Sequence, residues 1–443
     1  MCKFELQATD LGCRRNDRVV GVPLKIDFHL DFDRPTVRVG LPTPPQCAMP
    51  ESLMAVVARS FVLRLLCGLL VCAALIGVDL GRRAGATPVP QAAWPVVAQT
   101  AATTGPLVQL ARGYIPMPFN TAAAHASSLL AMPSAHASAL MAFWFAGTRE
   151  SAADVQIAAS HFDRATQQWS AARFVLNRQA MGEALGFGVR RLGNPVAWLD
   201  GEGKIHLFVV ATGLGGWAAA RIVHLRQSDD GRDFNALSFV ALRAVPLSWL
   251  WNTSFLVRSA PLSLQDGGMV LPVHFELGIK YPVALRFDAR GEFKGMARIS
   301  SRRHLLQPTL LTLSPSHWLA LMRDQRPAGK VAIAQSSDAG QSWADLPDLA
   351  LDNPDASVAG LALAPGRMFL AHNSSPQSRV ALDLSSSADG RLWSLSQALA
   401  HGAGAAEYSY PALAWADDSL WVSYTDQRQR IAWQRFSLSA AAR

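Results

Sequence analysis

The sequence predicts an all-β fold, a six-bladed β-propeller preceded by an N-terminal hydrophobic segment. From about residue 106 onward, short apolar strands alternate with turn signals. The strands form six copies of one strand–turn–strand pair, and a turn that ends in an aromatic residue recurs after the pairs. The chain has 443 residues, of which 50% are hydrophobic and 17% are charged. This composition provides enough apolar surface for a core of that size.

The strand pairs mark the blades. They begin at Ser127, Pro195, Pro261, Pro308, Gly360 and Pro411. A four-stranded blade needs roughly 40 to 50 residues, which fits these positions if the first two blades carry longer loops. We expect the sixth sheet to combine strands from both ends of the domain, residues near 107–118 with residues near 430–438. Such closure leaves few exposed sheet edges.

The recurrent turn has the pattern S-x-D-x-G-x-S-W between Ser336 and Trp343. Shortened forms run from Ser228 to Phe234 and from Ser387 to Trp393, and decayed forms end at Trp169 and Phe293. In such a turn, Ser and Asp side chains bond to the turn's own backbone and Gly supplies a positive φ. We expect the aromatic side chain to pack between neighbouring sheets and assign these turns a structural role.

The N-terminal region divides into three parts by composition. We expect residues 1–60 to be a poorly ordered extension and a mis-set start, with the true start at Met49 or Met54. Residues 61–80 are apolar and serve as a signal peptide or a transmembrane anchor, and both alternatives stay open. Residues 81–105 are predicted to be a linker, and residues 106–443 the propeller. The corresponding location is the cell envelope, on its periplasmic or extracellular side, with the protein membrane-anchored or secreted.

Charge and cysteine content exclude several classes of function. The net charge is +8, but the arginines are scattered and form no run that would follow a nucleic-acid backbone. We therefore expect no nucleic-acid partner. The last cysteine is Cys72, so the predicted propeller holds no disulfide and no cysteine-based metal site. No spacing predicts a zinc site, and we expect no cofactor.

Polar residues recur where the inner strands of the blades meet the central channel. Side chains at these positions converge although they are distant in sequence. The candidates are His125, Arg149, Glu150, Asp154, Asn194, His274, Glu276, Gln307, Arg323, Asn373, Tyr408, Tyr410 and Arg428. A single buried His or Glu is more often a satisfied structural group than a catalyst. Their convergence from all blades is what predicts a functional pocket.

The repeated turns and strand pairs resemble the sialidase superfamily, in which this turn is called the Asp-box. The resemblance covers about residues 106 to 440 and is closest to the bacterial BNR-repeat group, through segments such as AHASSLL, FWFAGTRESAADVQIAAS and EYSYPAL. It implies a glycoside hydrolase. In this family three arginines hold a substrate carboxylate, an Asp serves as acid and base, and a Tyr activated by a Glu is the nucleophile.

The resemblance assigns roles to several candidates. Arg323 occupies the position of the second arginine, and Arg428 is a candidate for the third. Tyr408 or Tyr410 stands at the position of the nucleophile, and Asp154 or Glu150 at that of the acid/base.

Arg149, Asn194, His274, Gln307 and Asn373 are expected to contact the substrate. The sequence departs from the family at two points: His125 replaces the first arginine, and Gln307 replaces the Glu that would activate the Tyr.

These departures leave more than one function open. The leading hypothesis is an exo-acting glycoside hydrolase on an acidic or deoxy sugar of a glycan or surface polysaccharide. The alternative is a catalytically inactive carbohydrate-binding or assembly propeller held at the membrane through residues 61–80. In another arrangement, His125 with Glu150, Asp154 or Glu276 serves as acid and base for a different glycan-cleaving chemistry. A purely structural scaffold is the remaining alternative.

Overall fold

The computed structural model describes residues 14–15, 18–19, 51–83, 91–93, 105–231, 233–248 and 252–438. Most of the predicted extension 1–60 and most of the predicted linker 81–105 lie outside these residues. The chain divides into two units, residues 1–73 and residues 74–443. In the first unit, β1 (Arg14–Arg15) pairs with β2 (Arg18–Val19) in antiparallel fashion.

Helix α1 contains the predicted hydrophobic segment. It runs from Glu51 to Arg83, and its stretch Arg59–Asp79 has a mean hydropathy of 2.6. About 20 apolar residues in a helix cross the hydrocarbon core of a bilayer. Among the described residues, this is the one helix long and apolar enough to do so. A signal sequence would have the same character.

Six antiparallel sheets follow, in the order of the six predicted strand pairs, and the predicted six-bladed propeller is confirmed. Blade 1 consists of β4 (Ala123–Ala131), β5 (Ser138–Gly147) and β6 (Gln156–Asp163), with β7 (Gln168–Trp169) and β8 (Arg173–Leu176) both paired to β6. Blade 2 consists of β9 (Arg191–Leu199), β10 (Ile205–Thr212), β11 (Ala220–Gln227) and β12 (Phe239–Ala244). In blade 3 the inner strand is split into β13 (Phe255–Val257) and β14 (Leu262–Ser263), followed by β15 (Met269–Leu277), β16 (Ile279–Phe287) and β17 (Phe293–Arg298).

The second half of the ring is more regular. Blade 4 consists of β18 (Leu305–Thr312), β19 (Trp318–Asp324), β20 (Ala332–Ser336) and β21 (Ala344–Asp345). Blade 5 consists of β22 (Ala359–Ala364), β23 (Arg367–Asn373), β24 (Ala381–Ser387) and β25 (Ser394–His401). Blade 6 consists of β26 (Tyr408–Ala416), β27 (Ser419–Asp426) and β28 (Arg430–Leu438), and its fourth strand is β3 (Leu107–Tyr114).

The closure of the ring follows the prediction. β28 pairs with β3 in a register that sets Trp433 opposite Gly113 and Leu438 opposite Leu107. The two ends of the domain are therefore held in one sheet, which ties the first blade to the last.

Apolar clusters fill the spaces between neighbouring blades. Trp144, Trp318 and Trp421 are among the largest fully buried side chains. The aromatic residues that end the five Asp-box turns each pack against the cluster shared with the preceding blade: Trp169, Phe234, Phe293, Trp343 and Trp393. The predicted structural role of these residues agrees with this packing.

The complete Asp-box has the hydrogen bonds that its residue types predict. Ser336 Oγ accepts from Gly340 N at 2.8 Å, and Asp338 Oδ1 accepts from Ser342 N at 2.9 Å. Gly340 has a φ of 81°, and Trp343 Nε1 donates to Gly340 O at 3.1 Å. The turn joins β20 to β21, at the end of the blade opposite to the start of its inner strand. We call this end of the propeller the box end.

Helical segments within the propeller were not predicted. Helix α2 (Arg178–Leu185) connects blade 1 to blade 2, and short 3₁₀ turns lie at Gly216–Ala219 and Phe234–Ala236. The Asn177 side chain caps α2 by accepting from Ala180 N, and Gly186 ends it with a φ of 68°. The eight residues of α2 bury one side chain, Met181, so the sequence carries little apolar periodicity there.

Candidate functional site

The inner strands of the blades start at one end of the propeller, and we call this end the mouth. Close to their starts, several inner strands carry a bulge, with register shifts between His125 and Ser128, between Leu306 and Thr309, and between Ser409 and Ala412. A bulge leaves one residue unpaired and changes the direction of its side chain. At the mouth, therefore, bulged residues can direct their side chains out of the sheets and toward the central channel.

The bulged residues have an unusual backbone conformation. The φ angles of Asn194, Gln307 and Tyr410 are 27°, 48° and 53°. Each of these residues directly precedes a proline, which in general favours extended backbone at the preceding position. For a residue other than glycine, a positive φ costs conformational free energy. Residues held in such strained conformations cluster at functional sites. The positive φ angles recur at the mouth on several blades, which indicates that the mouth is the functional end of the propeller.

Tyr410 lies among charged and aromatic groups from several blades. Its ring centroid is 4.3 Å from that of His125 on blade 1. The Cζ atoms of Arg258 on blade 3 and Arg379 on blade 5 lie 5.1 Å and 6.0 Å from the centre of the ring. This places Tyr410 on the axis of the propeller, with positive charge on more than one side.

Arg323 on blade 4 is held in its charged form. Its Nε donates to Asp355 Oδ1 at 2.6 Å, and its Nη1 donates to Gln307 Oε1 at 3.1 Å. Burial alone would lower the pKa of Arg323, but the Tyr410 oxygen and Asp355 outweigh it and raise the pKa. Gln307 therefore orients a cation in this structure.

Glu407 joins two arginines at the mouth. It accepts from Arg428 Nε at 2.7 Å, from Ser409 Oγ at 2.9 Å and from Arg379 Nη1 at 3.1 Å. Burial would raise the pKa of Glu407, but hydrogen bonds from Arg428 and Ser409 and the nearby positive charges lower it to about 2. Arg379 Nη2 also donates to the backbone oxygen of Asp355 at 2.6 Å.

A cleft with a volume of about 300 Å³ opens beside Glu407 and its two arginines, and its lining includes Arg379, Glu407 and Arg428. This is the lower end of the size range for sites that bind small molecules.

His125 is buried and uncharged. The residue is 2% exposed, and neither ring nitrogen has a hydrogen-bond partner among the described residues. Burial, together with the positive charge of Arg428, lowers the pKa of His125 to about 3. The neutral imidazole therefore does not supply the positive charge that an arginine would bring to this position.

The acidic loop between β5 and β6 lies at the mouth. Glu150 forms an ion pair with Arg428. Asp154 accepts from Thr148 N at 2.9 Å and from Thr148 Oγ1 at 3.0 Å, and Arg149 is exposed. The interaction of Glu150 with Arg428 brings this loop of blade 1 to the loop between β27 and β28 of blade 6.

Blade 3 contributes a separate ionic group. Glu276 contacts Lys280 Nζ at 2.8 Å and His274 Nε2 at 3.5 Å. Burial would raise the pKa of Glu276, but His274 and Lys280 lower it to about 2. Among the described residues, no hydrogen bond or ion pair joins Glu276 to His125.

Two further candidates make contacts between blades 5 and 6. Asn373 Nδ2 donates to Tyr408 O at 2.8 Å and to Ala381 O at 2.9 Å. The Tyr408 ring lies 6.2 Å from that of Tyr424 and packs against the apolar cluster between the two blades. Of the two candidate tyrosines, Tyr410 is the one that has arginines around its ring. Asn194 is buried at the mouth end of blade 2.

Four residues at the mouth were missed by the sequence analysis: Arg258, Arg379, Glu407 and Asp355. Arg258 carries a signal that was available, since a charged residue interrupts the apolar run FLVRSAP. Arg379, Glu407 and Asp355 lie in loops between strands, where the sequence holds no periodic pattern. Among the described residues, no group of three His, Cys, Asp or Glu side chains is arranged to hold a metal ion.

Comparisons with known proteins place the geometry in context. The family model for a BNR repeat-like domain matches residues 138–422, more than half of the chain. No curated protein matches the sequence.

Three solved structures with similar folds illustrate the likeness. The Hadza microbial sialidase Hz136 is 17% identical, with a TM-score of 0.57, covering 71% of this chain and 65% of its own. Trypanosoma rangeli sialidase is 13% identical, with a TM-score of 0.57, covering 74% of this chain and 59% of its own. This chain thus spans about two thirds or less of the length of these sialidases. A protein of unknown function from Dyadobacter fermentans is 11% identical, with a TM-score of 0.58, covering 75% of this chain and 99% of its own. At these identities the likeness shows the fold.

Proposed function

Because the chain belongs to the BNR repeat-like domain family, we propose that it is a sialidase-like, exo-acting glycoside hydrolase. Its substrate in this proposal is an acidic or deoxy sugar of a glycan or surface polysaccharide. The observation that carries the proposal is the position of Tyr410, in a strained conformation on the axis with arginines around its ring. A general glycoside-hydrolase function agrees with the sialidase-like propeller fold.

The arginines suit an anionic substrate. Arg323 and Arg379 each have further N–H groups beyond the bonds they make to Asp355, Gln307 and Glu407. A planar guanidinium binds a carboxylate through two parallel hydrogen bonds. In the proposed complex these arginines hold the sugar carboxylate above Tyr410. Trypanosoma rangeli sialidase, which shares the fold, has been solved with sialic acid.

Tyr410 is the proposed nucleophile. Its oxygen attacks the anomeric carbon as the bond to the leaving group breaks, and water later releases the sugar. Positive charge around the ring stabilises negative charge on the attacking oxygen. Among the described residues, no hydrogen bond joins a carboxylate to Tyr410, so in this proposal the phenolic proton passes to water as the bond to the anomeric carbon forms, and the arginines stabilise the oxygen anion.

Two of the carboxylates are unsuited to protonate the leaving group. Burial opposes the effect, but hydrogen bonds from His274 and Lys280 lower the pKa of Glu276 to about 2, and hydrogen bonds from Arg428 and Ser409 lower that of Glu407 to about 2, so both are ionised at neutral pH. A general acid must hold a proton at the operating pH. We assign the role of acid/base to Asp154 or Glu150, because the resemblance to the family places it in this acidic loop and the loop lies at the mouth.

A catalytically inactive carbohydrate-binding or assembly propeller is the second candidate. It is favoured by His125, because a buried neutral imidazole provides no charge for a substrate carboxylate. Such a site would bind its ligand with the remaining arginines and leave it intact. In either case, α1 supports a location at the cell envelope, as an anchor or a signal sequence.

The test is turnover by the full chain of a fluorogenic sialoside and a panel of acidic glycans, with glycan binding measured in parallel. Turnover that is lost in Asp154→Asn or Glu150→Gln supports the hydrolase. Binding without turnover supports the inactive propeller. Absence of both binding and turnover across the panel contradicts both proposals.

A trapping experiment examines the role of Tyr410. Trypanosoma rangeli sialidase forms a covalent intermediate with 2,3-difluorosialic acid. If Tyr410 is the nucleophile of a sialidase, incubation of this chain with the same compound gives a mass increase that peptide mapping assigns to Tyr410. An adduct on another residue contradicts the assignment.

A further inference from the structure

Arg258 crosses the central channel below Tyr410. The inner strand of blade 3 is interrupted between β13 and β14, so residues 258–261 do not pair with β15. The guanidinium of Arg258 reaches the inner strands of two other blades: Nη2 donates to Pro411 O at 2.8 Å, and Nη1 donates to Ser127 O at 3.3 Å. Arg258 therefore forms the floor of the mouth.

The positive charge of Arg258 has no counter-ion among the described residues. The residue is 3% exposed, and no carboxylate lies within 4.0 Å of its guanidinium in that part of the chain. Its Nε is buried and has no hydrogen-bond partner there. Burial lowers the pKa of Arg258 to about 10, so the group stays protonated at neutral pH. A buried and unpaired charge is costly, and folded proteins usually compensate it with an opposite charge.

A small cavity has Arg258 in its lining. Arg258, Ser128, Ser259 and Thr309 line it together with backbone and apolar groups, and the space open to the centre of a water-sized sphere is about 10 Å³. A cavity of this size holds one small ion or one water molecule and excludes a sugar.

Two serine hydroxyls of the lining are free to donate a hydrogen bond. Ser259 Oγ is buried without a hydrogen-bond partner, like Arg258 Nε. Ser128 Oγ accepts from Ala197 N at 3.2 Å, which leaves its own proton free to donate. No carboxylate lines the cavity. A site that offers hydrogen-bond donors and a cation, and no acidic side chain, is complementary to an anion.

We propose that this cavity binds a single monatomic anion, chloride, as the counter-ion of Arg258. The anion neutralises the buried guanidinium and accepts from Arg258 Nε and the serine hydroxyls. Water in the same place would satisfy hydrogen bonds but leave the charge uncompensated. The inference concerns the floor of the mouth, and the measurements that test it do not require that the site cleave a glycan, although a bound anion would reduce the positive charge that Arg258 presents to Tyr410.

Halide-dependent stability of the full chain tests the proposal. The melting temperature is measured in increasing sodium chloride, with sodium gluconate replacing it at equal ionic strength, since gluconate is too large for the cavity. We expect a saturating rise of about 2 °C or more with chloride over gluconate, and a similar rise with bromide. Identical melting curves in chloride and gluconate overturn the proposal.

A matched pair of variants locates the effect. Arg258→Met removes the buried charge and keeps an apolar chain of similar length, so the difference between chloride and gluconate disappears. Arg290→Met removes an exposed arginine from blade 3 and keeps the difference. A halide effect that persists in Arg258→Met overturns the proposal.

Crystals of the unmodified chain grown in bromide give an answer even if Arg258→Met fails to fold. An anomalous bromine peak in the cavity beside Arg258 supports the anion site. Density without an anomalous signal indicates water and overturns it.

Discussion

The two ends of the propeller satisfy their polar groups in different ways. At the box end the partners are close in sequence: Ser336 with Asp338, Asp338 with Ser342, and Trp343 with Gly340. At the mouth local pairs such as Ser409–Glu407 are joined by long-range ones: the Arg258–Pro411 hydrogen bond joins residues 153 positions apart, and the Arg428–Glu150 ion pair spans 278 positions. Each Asp-box is a local motif, whereas the mouth exists only after the ring has closed.

This difference suggests that the box end contributes mainly to stability and the mouth mainly to function. The box end repeats one turn, and its aromatic residues fill the spaces between blades. The mouth repeats only a bulge, and each blade places a different side chain there. We therefore expect substitutions at the box end to alter mainly the free energy of unfolding. Substitutions at the mouth should alter mainly ligand binding and turnover.

The largest expected loss of stability is at a box-end glycine. Gly340 has a φ of 81°, and an added Cβ would lie 2.5 Å from the buried Trp318 ring. Gly340→Ala should therefore destabilise the fold by about 3 kcal/mol, which combines the cost of positive φ with overpacking. Gly366→Ala is the control, because its φ is 76° but no atom lies within 4 Å of the added Cβ. It should cost about 1 kcal/mol. Equal losses in urea unfolding would contradict the packing argument.

At the mouth, the buried His125 should make the free energy of unfolding depend on pH. Burial lowers the pKa of His125 to about 3, whereas an unfolded histidine titrates near 6.5. Below pH 6.5 the unfolded state binds the extra proton, so stability falls as the pH drops from 6.5 toward 3. His125→Phe should remove this contribution and retain about 2 kcal/mol that the wild type loses between pH 7 and pH 5. Urea midpoints measured over that range check it, and parallel curves for the two proteins would argue against a neutral buried His125.

Removal of one carboxylate at the box end, that of Asp338, should lower the free energy of unfolding by a smaller amount. Asp338 accepts from Ser342 N and from the hydroxyl groups of Ser336 and Ser342. Asp338→Ala should cost about 1–2 kcal/mol of unfolding free energy, since it leaves these donors unpaired, and should leave ligand binding unchanged. Burial opposes the hydrogen bonds, but Ser342 and Ser336 lower the Asp338 pKa. The contribution is therefore present above the unfolded pKa and disappears as the pH falls through the folded one. A loss of ligand binding at neutral pH would refute the division between the two ends.

The smallest expected effect on stability is at the mouth surface. The Glu150 and Arg428 side chains are 32% and 45% exposed, and Arg428 keeps its second partner Glu407 when Glu150 is changed. Exposed ion pairs contribute about 0–1 kcal/mol, so Glu150→Gln should change the unfolding free energy by less than about 0.5 kcal/mol. Thermal or urea unfolding measures this directly. A change above 2 kcal/mol would mean that the mouth, too, holds the fold together.

The sequence was sufficient to predict the architecture. The six strand pairs, the closing pair of β28 and β3, and the box turns all follow from local patterns that repeat. Helix α2 was missed because a short connecting helix buries only Met181 and has no repeat to mark it.

Part of the candidate site could be predicted from the sequence. Tyr410, Arg323, Gln307 and His125 stand at the starts or ends of predicted strands, and the structure brings them to the mouth. Arg379 and Glu407 lie in loops, whose positions depend on the tertiary fold and not on strand periodicity. The X-Pro step that begins several inner strands was a usable signal for the bulges, since Asn194, Gln307 and Tyr410 all precede a proline.

We propose that Tyr410, and not the neighbouring Tyr408, is the reactive group of the mouth. The most direct measurement is kcat/KM of Tyr410→Phe and Tyr408→Phe on the best glycan substrate of the wild type. We predict that Tyr410→Phe loses about 10³-fold or more, while Tyr408→Phe, whose ring packs between blades 5 and 6, loses less than about tenfold. A Tyr410→Phe variant that is folded and as active as the wild type would contradict the account.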